Sequence, residues 1–530
     1  MNRTARPVFR AFLGIALLLA TQAGADPRDE LFFGQEEDVA ETADERDEIV
    51  FGSDDEEDER DARFFGDEGG DDRDALFLGG EDEVVSAGAP SDTPVFPDED
   101  RDEGRLLEGL RIDERLGEAS NRLDIGGLLY LRMQYGARTQ GNPETFPVGS
   151  PNLLDVYMDA RPNDRLRAFV RGRATHTFLR EEEVAGDPLS FQQRGTSVAL
   201  DQLWIKFDVD RRLFVTAGRQ AIRWGAGRFW NPTDFLNPQR RDPLAVFDER
   251  LGVSLLKLHL PLEASGWNFY ALANFEDAGL AEKIGGALRL EKLVGLTEIS
   301  LSLAARKDHP LQLGADVTFP IGLFDFRFEG ALSRNVRRPF YRGPVSLDPG
   351  APQPPTPYSR KDEWIPQLVA GAEIGIPYGD DDAVYVGAEY FYNGMGYDDP
   401  TLYPWLLFTG DFVPLYLGRH YAGIYASATG PGAWNDTTLI ASLLGNLTDG
   451  SYLARFDWRV RLLTYLDLNT FAAVHFGNEG EFHFRLKLPA MEVPEELLPQ
   501  LPPGLAETLA AGLEVPPAVL DLGVGISLRF

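Results

Sequence analysis

Two segments of the sequence place arginines at alternating positions. The first contains Arg165 and Arg167 and continues with Arg171 and Arg173, and a second segment repeats the spacing from Arg455. Residues two apart on a β-strand point to the same face, and guanidinium groups bind carboxylates and phosphates through paired hydrogen bonds. We therefore predict a strand face that contacts anions. Its candidate residues are Arg165, Arg167, Arg171, Arg173, Arg219, Arg223, Arg455, Arg459 and Arg461.

A structural role for the same arginines is the alternative. Asp155 and Asp159 precede the first set across an Asn163-Asp164 pair that is typical of a tight turn. If the two segments pair as a hairpin, these carboxylates would neutralise the arginines. The sequence leaves both interpretations open.

The segment 218–238, GRQAIRWGAGRFWNPTDFLNP, is the densest feature outside the strand-like segments. Its prolines fix φ and bias the preceding asparagines toward extended geometry, and its aromatic side chains need burial. We expect this segment to fold inward as a constriction. The candidate residues are Trp224, Phe229, Trp230, Asn231, Asp234 and Asn237.

Catalysis is not indicated by the remaining reactive residues. The chain has 6 His without paired-ligand spacing and 0 Cys, so it offers no HExxH site and no thiolate. We expect a protein that is not an enzyme and that has no metal site or cofactor.

After residue 121 the sequence alternates apolar and polar residues in segments of about ten residues, with Gly, Pro, Asn and Asp between them. In 520–530, for example, every second residue from Leu520 to Phe530 is apolar. Such alternation, repeated to the end of the chain, is typical of an all-β transmembrane antiparallel barrel with an apolar exterior and a wet interior.

The connections between these segments alternate in length. Tight turns are predicted at 163–164, 210–211 and 320–322, and long connections at 137–151, 179–198, 220–249, 335–365 and 395–415. All the long connections fall on one side of the predicted sheet. We predict about 18 strands, with 16 as the alternative. We place the strand-like segment 481–488 and a Leu/Ala/Pro-rich helix at 495–517 in the last long loop.

The barrel segment carries resemblances to known proteins. A period-2 strand that ends in Phe530 resembles the last strand of Gram-negative outer-membrane proteins, which implies outer-membrane lipid and the barrel-assembly machinery as partners. The order GRQ, WG and NPxD in 218–238 resembles a group of porin-like barrels and, more loosely, alginate-export-type barrels. Aromatic residues near strand ends suit interfacial girdles. They are Tyr130, Trp204, Trp267, Tyr390, Tyr392 and Trp458.

Three further segments precede the barrel. Residues 1–25 have arginines, an apolar run and Ala-Gly-Ala, which is the pattern of a secretory signal peptide. Residues 26–104 carry 32 acidic and 6 basic residues, and a segment with so much charge is expected to be disordered. Residues 105–120 form a linker to the barrel at 121–530. A chain this acidic is not expected to bind nucleic acid.

The acidic segment contains one unit four times: RDELFFG, RDEIVFG, RDARFFG and RDALFLG. Short apolar pairs separated by charged spacers are typical of tethered ligands. We predict that they bind a periplasmic protein, and a purely solvating tail is the alternative. The contact candidates are Phe32, Phe33, Phe51, Phe64, Phe65, Phe77 and Leu78.

Together these features predict an outer-membrane channel with its N-terminal tail in the periplasm. Its cargo would be an anionic solute or polysaccharide, passed or exported in concert with the tail's partner. A general porin and a closed-barrel surface scaffold or adhesion protein are the alternatives.

Overall fold

The computed structural model describes residues 122–141, 143, 146–178, 195–346, 353–378, 382–488, 490 and 512–530. The predicted signal peptide, acidic tail and linker lie outside these residues. Residues 495–511 of the expected helix lie outside them as well, and its described end is not helical, because Leu513–Val515 is a β-strand.

Eighteen strands form the described sheet. The first nine are β1 (Leu123–Arg138), β2 (Pro151–Asn163), β3 (Leu166–Thr177), β4 (Thr196–Val209), β5 (Leu213–Gln220), β6 (Val253–Leu262), β7 (Trp267–Asn274), β8 (Gly285–Val294) and β9 (Thr297–Ala305). The second nine are β10 (Leu311–Ile321), β11 (Phe324–Arg334), β12 (Ile365–Tyr378), β13 (Asp382–Asn393), β14 (His420–Thr429), β15 (Thr437–Asn446), β16 (Ser451–Leu463), β17 (Leu466–Gly477) and β18 (Ala518–Arg529).

Each strand pairs antiparallel with the next in sequence, and β18 pairs with both β17 and β1. The sheet is therefore a closed barrel, and the predicted count of 18 is confirmed. At the seam, the Phe530 amide donates to the Gly127 carbonyl at 3.1 Å and the Gly127 amide to the Phe530 carbonyl at 2.7 Å. Closure leaves the sheet without an unpaired edge.

The connections alternate as the sequence predicts. The long ones, at 139–150, 178–195, 221–252, 335–364, 394–419 and 478–517, share one side, which we call the loop side. The opposite side, the turn side, holds the tight turns and both ends of the described barrel. The expected strand at 481–488 is present only as Leu486–Leu488, which pairs with Leu513–Val515 within the last loop and adds nothing to the barrel.

The two faces of each strand differ in polarity. In β4, Leu203, Ile205 and Phe207 point outward, with exposed fractions of 53%, 41% and 37%, whereas the alternate residues Lys206 and Asp208 are buried in the interior. The pleat creates this alternation, and the apolar exterior matches the hydrocarbon region of a bilayer. No helix in the described ranges has the length and apolar character needed to cross a membrane.

Two of the expected girdle residues face the interior. Trp204 lies in register with the inward Phe169 and donates from Nε1 to Gln202, and Tyr130 is 4% exposed with the Arg132 guanidinium over its ring. The prediction was therefore wrong for these two residues, because aromatic side chains occupy both faces of the strands. Trp267, Tyr390, Tyr392 and Trp458 lie on the outward face.

Candidate functional site

The connection between β5 and β6, residues 221–252, folds into the barrel and touches opposite parts of its inner wall. We call it the inserted loop. Trp224 packs with Val253, Leu255 and Leu272 on β6 and β7. Phe229 and Trp230 pack with residues of β12 to β17. The loop therefore crosses the lumen instead of lining one side of it.

Two wall glutamates hold the inserted loop by its backbone. Glu329 on β11 accepts from the amides of Ala226 (2.9 Å), Gly227 (3.1 Å) and Thr233 (2.7 Å), and from the Thr233 hydroxyl (2.7 Å). Charge-assisted bonds of this kind are stronger than bonds between neutral groups. The loop thus wraps around a carboxylate that the barrel provides.

Glu389 on β13 is the second anchor. It accepts from three consecutive amides, those of Arg228 (2.6 Å), Phe229 (3.0 Å) and Trp230 (3.0 Å). Trp230 is fully buried beside it, stacks on Phe391 at 5.5 Å and donates from Nε1 to the Leu415 carbonyl at 3.1 Å.

The glycines of the WGAG sequence make this wrapping possible. Gly225 has φ +103°, and a Cβ there would lie 2.6 Å from Oε1 of Glu329. A Cβ on Gly227 would overlap the Trp230 carbonyl. Both positions need the absence of a side chain, because the loop backbone approaches the carboxylate at Gly225 and the Trp230 carbonyl at Gly227.

Side chains within the loop fix its shape. Asp234 accepts from the Trp224 amide (3.3 Å), Asn237 Nδ2 (2.7 Å) and Arg250 Nη1 (2.7 Å). Asn231 Nδ2 donates to the Gly227 carbonyl at 2.9 Å. All six predicted constriction residues therefore lie in one packed and hydrogen-bonded segment inside the barrel.

The C-terminal half of the inserted loop is held by residues of β1, β3 and β4. Glu249 forms a bidentate pair with Arg132 on β1 at 2.6 and 3.1 Å. Its carbonyl accepts from Arg173 Nη1 at 2.5 Å, and the Gly252 amide donates to Asp201 Oδ1 at 2.9 Å. Charged contacts thus hold both halves of the inserted loop.

Most of the candidate arginines lie next to carboxylates. The closest pairs are Arg165–Asp208 (2.9 Å), Arg167–Asp159 (2.9 Å), Arg171–Asp201 (2.6 Å), Arg173–Asp155 (2.7 Å) and Arg455–Asp457 (2.7 Å). The neutralising role considered for Asp155 and Asp159 is thus present in the structure, and it extends to Asp201, Asp208 and Asp457. The interior wall is a network of ion pairs rather than a row of bare cations.

The remaining candidates occupy different places. Arg223 lies within the inserted loop. Arg459 faces the interior in register with Asn469, and its buried Nε has no hydrogen-bond partner in the described structure. Arg461 lies at the turn side, 3.7 Å from Asp467 and 50% exposed.

Arg219 does not line the lumen, and that prediction was wrong. It is in register with the outward Leu203 and pairs with Glu276 at 3.1 Å near the loop side. The strand alternation explains the difference, because its neighbours Gly218 and Gln220 take the inward positions of β5.

The loop side carries a separate packed layer, which we call the cap. It includes α1 (Tyr403–Thr409), the hairpin of Phe340–Arg342 with Thr356–Tyr358, and the hairpin in the last loop. Buried residues such as Tyr403, Leu406, Phe340 and Leu486 form its core. The cap therefore lies at the loop side of the barrel.

Glu481 connects the cap to the wall. Its carboxylate accepts from the Tyr421 hydroxyl (2.6 Å), Asn446 Nδ2 (2.9 Å) and the Leu415 amide. Burial raises the pKa of Glu481 to about 8. Leu415 also accepts the bond from Trp230, so the cap and the inserted loop share one contact.

Reasoning from the sequence missed the wall carboxylates. Glu373 and Glu389 are single charged residues on the inward faces of β12 and β13, whereas Glu329 follows Asp325 and Arg327 on the inward face of β11. Glu373 pairs with Arg228 (3.3 Å) and Arg327 (3.0 Å). A single glutamate at a predicted inward position of a strand, as at Glu373 and Glu389, is the sequence feature that could have indicated such an anchor.

The fold and its lipid-facing exterior define a transmembrane β-barrel with an internal constriction loop. No protein-family model and no curated protein matches the sequence. Among solved structures, a BenF-like porin from Pseudomonas fluorescens Pf-5 aligns with 12% identity and a TM-score of 0.46, over 77% of this chain and 98% of that chain.

Two other solved barrels align at a similar level. OccK2 (OpdF) of Pseudomonas aeruginosa, solved in complex with glucuronate, has 10% identity and a TM-score of 0.45, over 77% of this chain and 98% of that chain. OccAB1 of Acinetobacter baumannii has 11% identity and a TM-score of 0.45, over 78% and 99%. These similarities concern barrel architecture and do not identify a substrate.

Proposed function

We propose that the protein is an outer-membrane channel whose lumen is set by the inserted loop. The observation that carries this proposal is the loop held across a polar interior by Glu329 and Glu389. A closed barrel with an apolar exterior satisfies every backbone group within the bilayer, and an ion-paired interior provides a wet path. On this assignment the loop side is extracellular and the turn side is periplasmic.

We infer that the cargo is anionic. The side chains of Arg167, Arg171 and Arg455 are 13%, 14% and 12% exposed beside their carboxylates. Guanidinium groups along a wet passage attract carboxylate and phosphate groups, which they bind through paired hydrogen bonds. The crossing loop favours small solutes over a polysaccharide chain, since a polymer needs a continuous wide path.

Planar-bilayer recording tests the channel and its selectivity together. We expect discrete conductance steps and a reversal potential in a salt gradient that has the sign of an anion-preferring channel. A purified, heat-modifiable barrel that gives no conductance would contradict the channel. Conductance with a cation-preferring reversal potential would contradict the proposal of an anionic cargo but not the proposal of a channel.

A closed surface scaffold is the second candidate. The specific observation in its favour is that the cap and the inserted loop are both densely packed, with Trp230, Phe391 and Tyr421 fully buried. Absent conductance combined with a correctly assembled barrel would favour this function.

We further propose that the four RD-x-x-apolar-apolar-Gly units bind a periplasmic protein and couple it to the channel. Their repetition supports the proposal, since several weak sites on one chain raise the effective concentration. Crosslinking in cell envelopes, with and without serine at Phe32-Phe33, Phe64-Phe65 and Phe77-Leu78, tests it. If the wild-type and the substituted tails capture the same proteins, the repeated units do not bind a partner.

A further inference from the structure

The turn-side rim of the barrel carries an arc of arginines. Arg161, Arg165, Arg461 and Arg529 have side chains that are 54%, 52%, 50% and 41% exposed. Three further arginines at the same rim belong to exposed residues. We call the whole set the arginine rim: Arg122, Arg161, Arg165, Arg211, Arg212, Arg461 and Arg529.

Three carboxylates that contact this set, those of Asp159, Asp208 and Asp467, lie deeper than the arginines. Asp159, Asp208 and Asp467 have side chains that are only 6%, 1% and 17% exposed. They lie beside the arginine side chains, which themselves remain 41% to 54% exposed. Three exposed aspartates, Asp124, Asp164 and Asp210, share the rim with seven arginines, so its solvent-facing charge is positive.

The charge of the rim is not uniform around the barrel. The arginine rim runs from the β16–β17 turn through β18 and β1 to the β4–β5 turn. The described part of the opposite arc, from β8 to β15, carries Lys292 and a larger number of acidic residues. These are Glu298, Asp325, Asp382 and Asp436.

The chain itself supplies a segment of opposite charge at the centre of this arc. Residues 26–104 carry 32 acidic and 6 basic residues, and they are connected through residues 105–121 to β1, next to Arg122. Opposite charge patches attract, and like charge on the other arc repels. Covalent attachment makes the contact intramolecular and raises the effective concentration of the segment.

We propose that the acidic segment 26–104 docks in cis on the arginine rim of its own barrel. The docked segment lies beside the turn-side mouth, where it adds negative charge at the entrance to the lumen. This inference does not depend on the proposed channel activity, because docking is a contact between two parts of one chain.

Disulfide trapping in the full-length, membrane-embedded protein tests the proposal directly. The chain has 0 Cys, so introduced pairs are unambiguous. Ser53→Cys in the acidic segment is combined with Asn163→Cys, at the β2–β3 turn within the arginine rim, or with Leu323→Cys, at the β10–β11 turn opposite. At roughly 3.3 Å per extended residue, the 68 residues between Ser53 and Arg122 can reach either position.

We expect the Asn163 pair to form at least about five times more disulfide than the Leu323 pair at low salt, and the difference to disappear at about 1 M salt, where charges are screened within about 3 Å. Gln at Arg161, Arg165, Arg461 and Arg529 together should abolish the preference, whereas Lys at the same four positions should keep it. Heat modifiability of each variant verifies that the barrel has assembled.

Equal yields at Asn163 and Leu323 in the assembled wild-type barrel would overturn the proposal. So would a preference that survives in high salt or in the assembled Gln variant, since the contact would then not depend on the arginine rim. If the Gln variant does not assemble, the salt dependence measured in the wild-type background decides between docking and a free segment.

Discussion

The carboxylate of Glu389 accepts a hydrogen bond from the backbone amide of Trp230 at 3.0 Å, although 159 residues separate them in the chain. Glu389 belongs to the barrel wall and Trp230 to the inserted loop. The same carboxylate binds the two preceding amides, so a single wall residue determines where the loop crosses the lumen. The position of the constriction is therefore a property of the strands as much as of the loop.

Replacing this anchor should loosen the constriction. Glu389→Ala leaves the amides of Arg228, Phe229 and Trp230 without their acceptor, and hydrogen bonds to charged groups contribute about 1.5 to 3 kcal/mol each. We expect a larger and noisier single-channel conductance. Glu363→Ala is the control, because Glu363 is 56% exposed and lies outside the lumen. An assembled Glu389→Ala barrel with wild-type conductance would show that the loop stays in place without its anchor.

Truncation of the buried indole separates packing from hydrogen bonding. Trp230→Ala should destabilise the inserted loop by about 3 to 5 kcal/mol, as expected for a large core aromatic, and should raise conductance. Trp230→Phe keeps most of the stack on Phe391 but loses the bond to the Leu415 carbonyl, so its effect should be smaller. Thermal unfolding and conductance of both variants provide the comparison, and equal effects would assign the role to the hydrogen bond.

The sequence predicts structural features that depend on neighbouring residues better than features that depend on contacts between residues far apart in the chain. The alternation in 520–530 predicts which residues of β18 face lipid, and Leu522, Val524, Ile526 and Leu528 are indeed outward. That inference succeeds because the pleat is local. The inward-folding WGAG segment is likewise indicated by its own aromatic and proline content.

The contacts that fix the site are not local. Glu329 binds Gly227 across 102 residues, and no spacing rule within a strand identifies such a partner. Arg219 was misplaced for a different reason. It follows Gly218 near the end of β5, where a shift of one residue exchanges the lumen face for the outer face.

The paired arginines give a selectivity test with an internal control. Gln at Arg165, Arg167, Arg171 and Arg173 removes the paired arginines of Asp155, Asp201 and Asp208 and one of the two arginines at Asp159, which keeps Arg161. We expect the reversal potential to move strongly toward cation preference. When the four aspartates are also replaced with Asn, the reversal potential should move most of the way back to the wild-type value, because this part of the wall no longer carries uncompensated negative charge. A reversal potential unchanged by the four Gln substitutions would mean that ions do not pass along this part of the wall.

The last residue contributes to closure. Phe530 exchanges two backbone hydrogen bonds with Gly127, and its ring lies on the outer surface with 60% exposure. Deleting Phe530 removes both bonds at the β1–β18 seam. We expect slower assembly, measured as delayed appearance of the heat-modifiable form in a pulse-chase experiment. Phe530→Tyr, which keeps the backbone and the ring, should assemble nearly as fast as wild type, and wild-type kinetics for the deletion would exclude a role in closure.

The cap should loosen as the pH rises, through Glu481. The described hydrogen-bond partners of this carboxyl are Tyr421, Asn446 and Leu415, with Tyr403 and the carboxylate of Asp449 nearby and no cation among them. Burial raises its pKa from 4.5 to about 8, so the packed state favours the protonated form. Its contribution to packing is therefore complete below about pH 4.5 and is lost as the pH rises to about 8. Over this range the equilibrium constant between the packed and the loosened cap changes by at most about tenfold per pH unit. We expect protease access to residues 478–485, or open probability in bilayers, to increase over this range. Glu481→Gln, which stays neutral, should flatten the profile, and an assembled Glu481→Gln barrel that keeps the wild-type pH dependence would assign the change to another group.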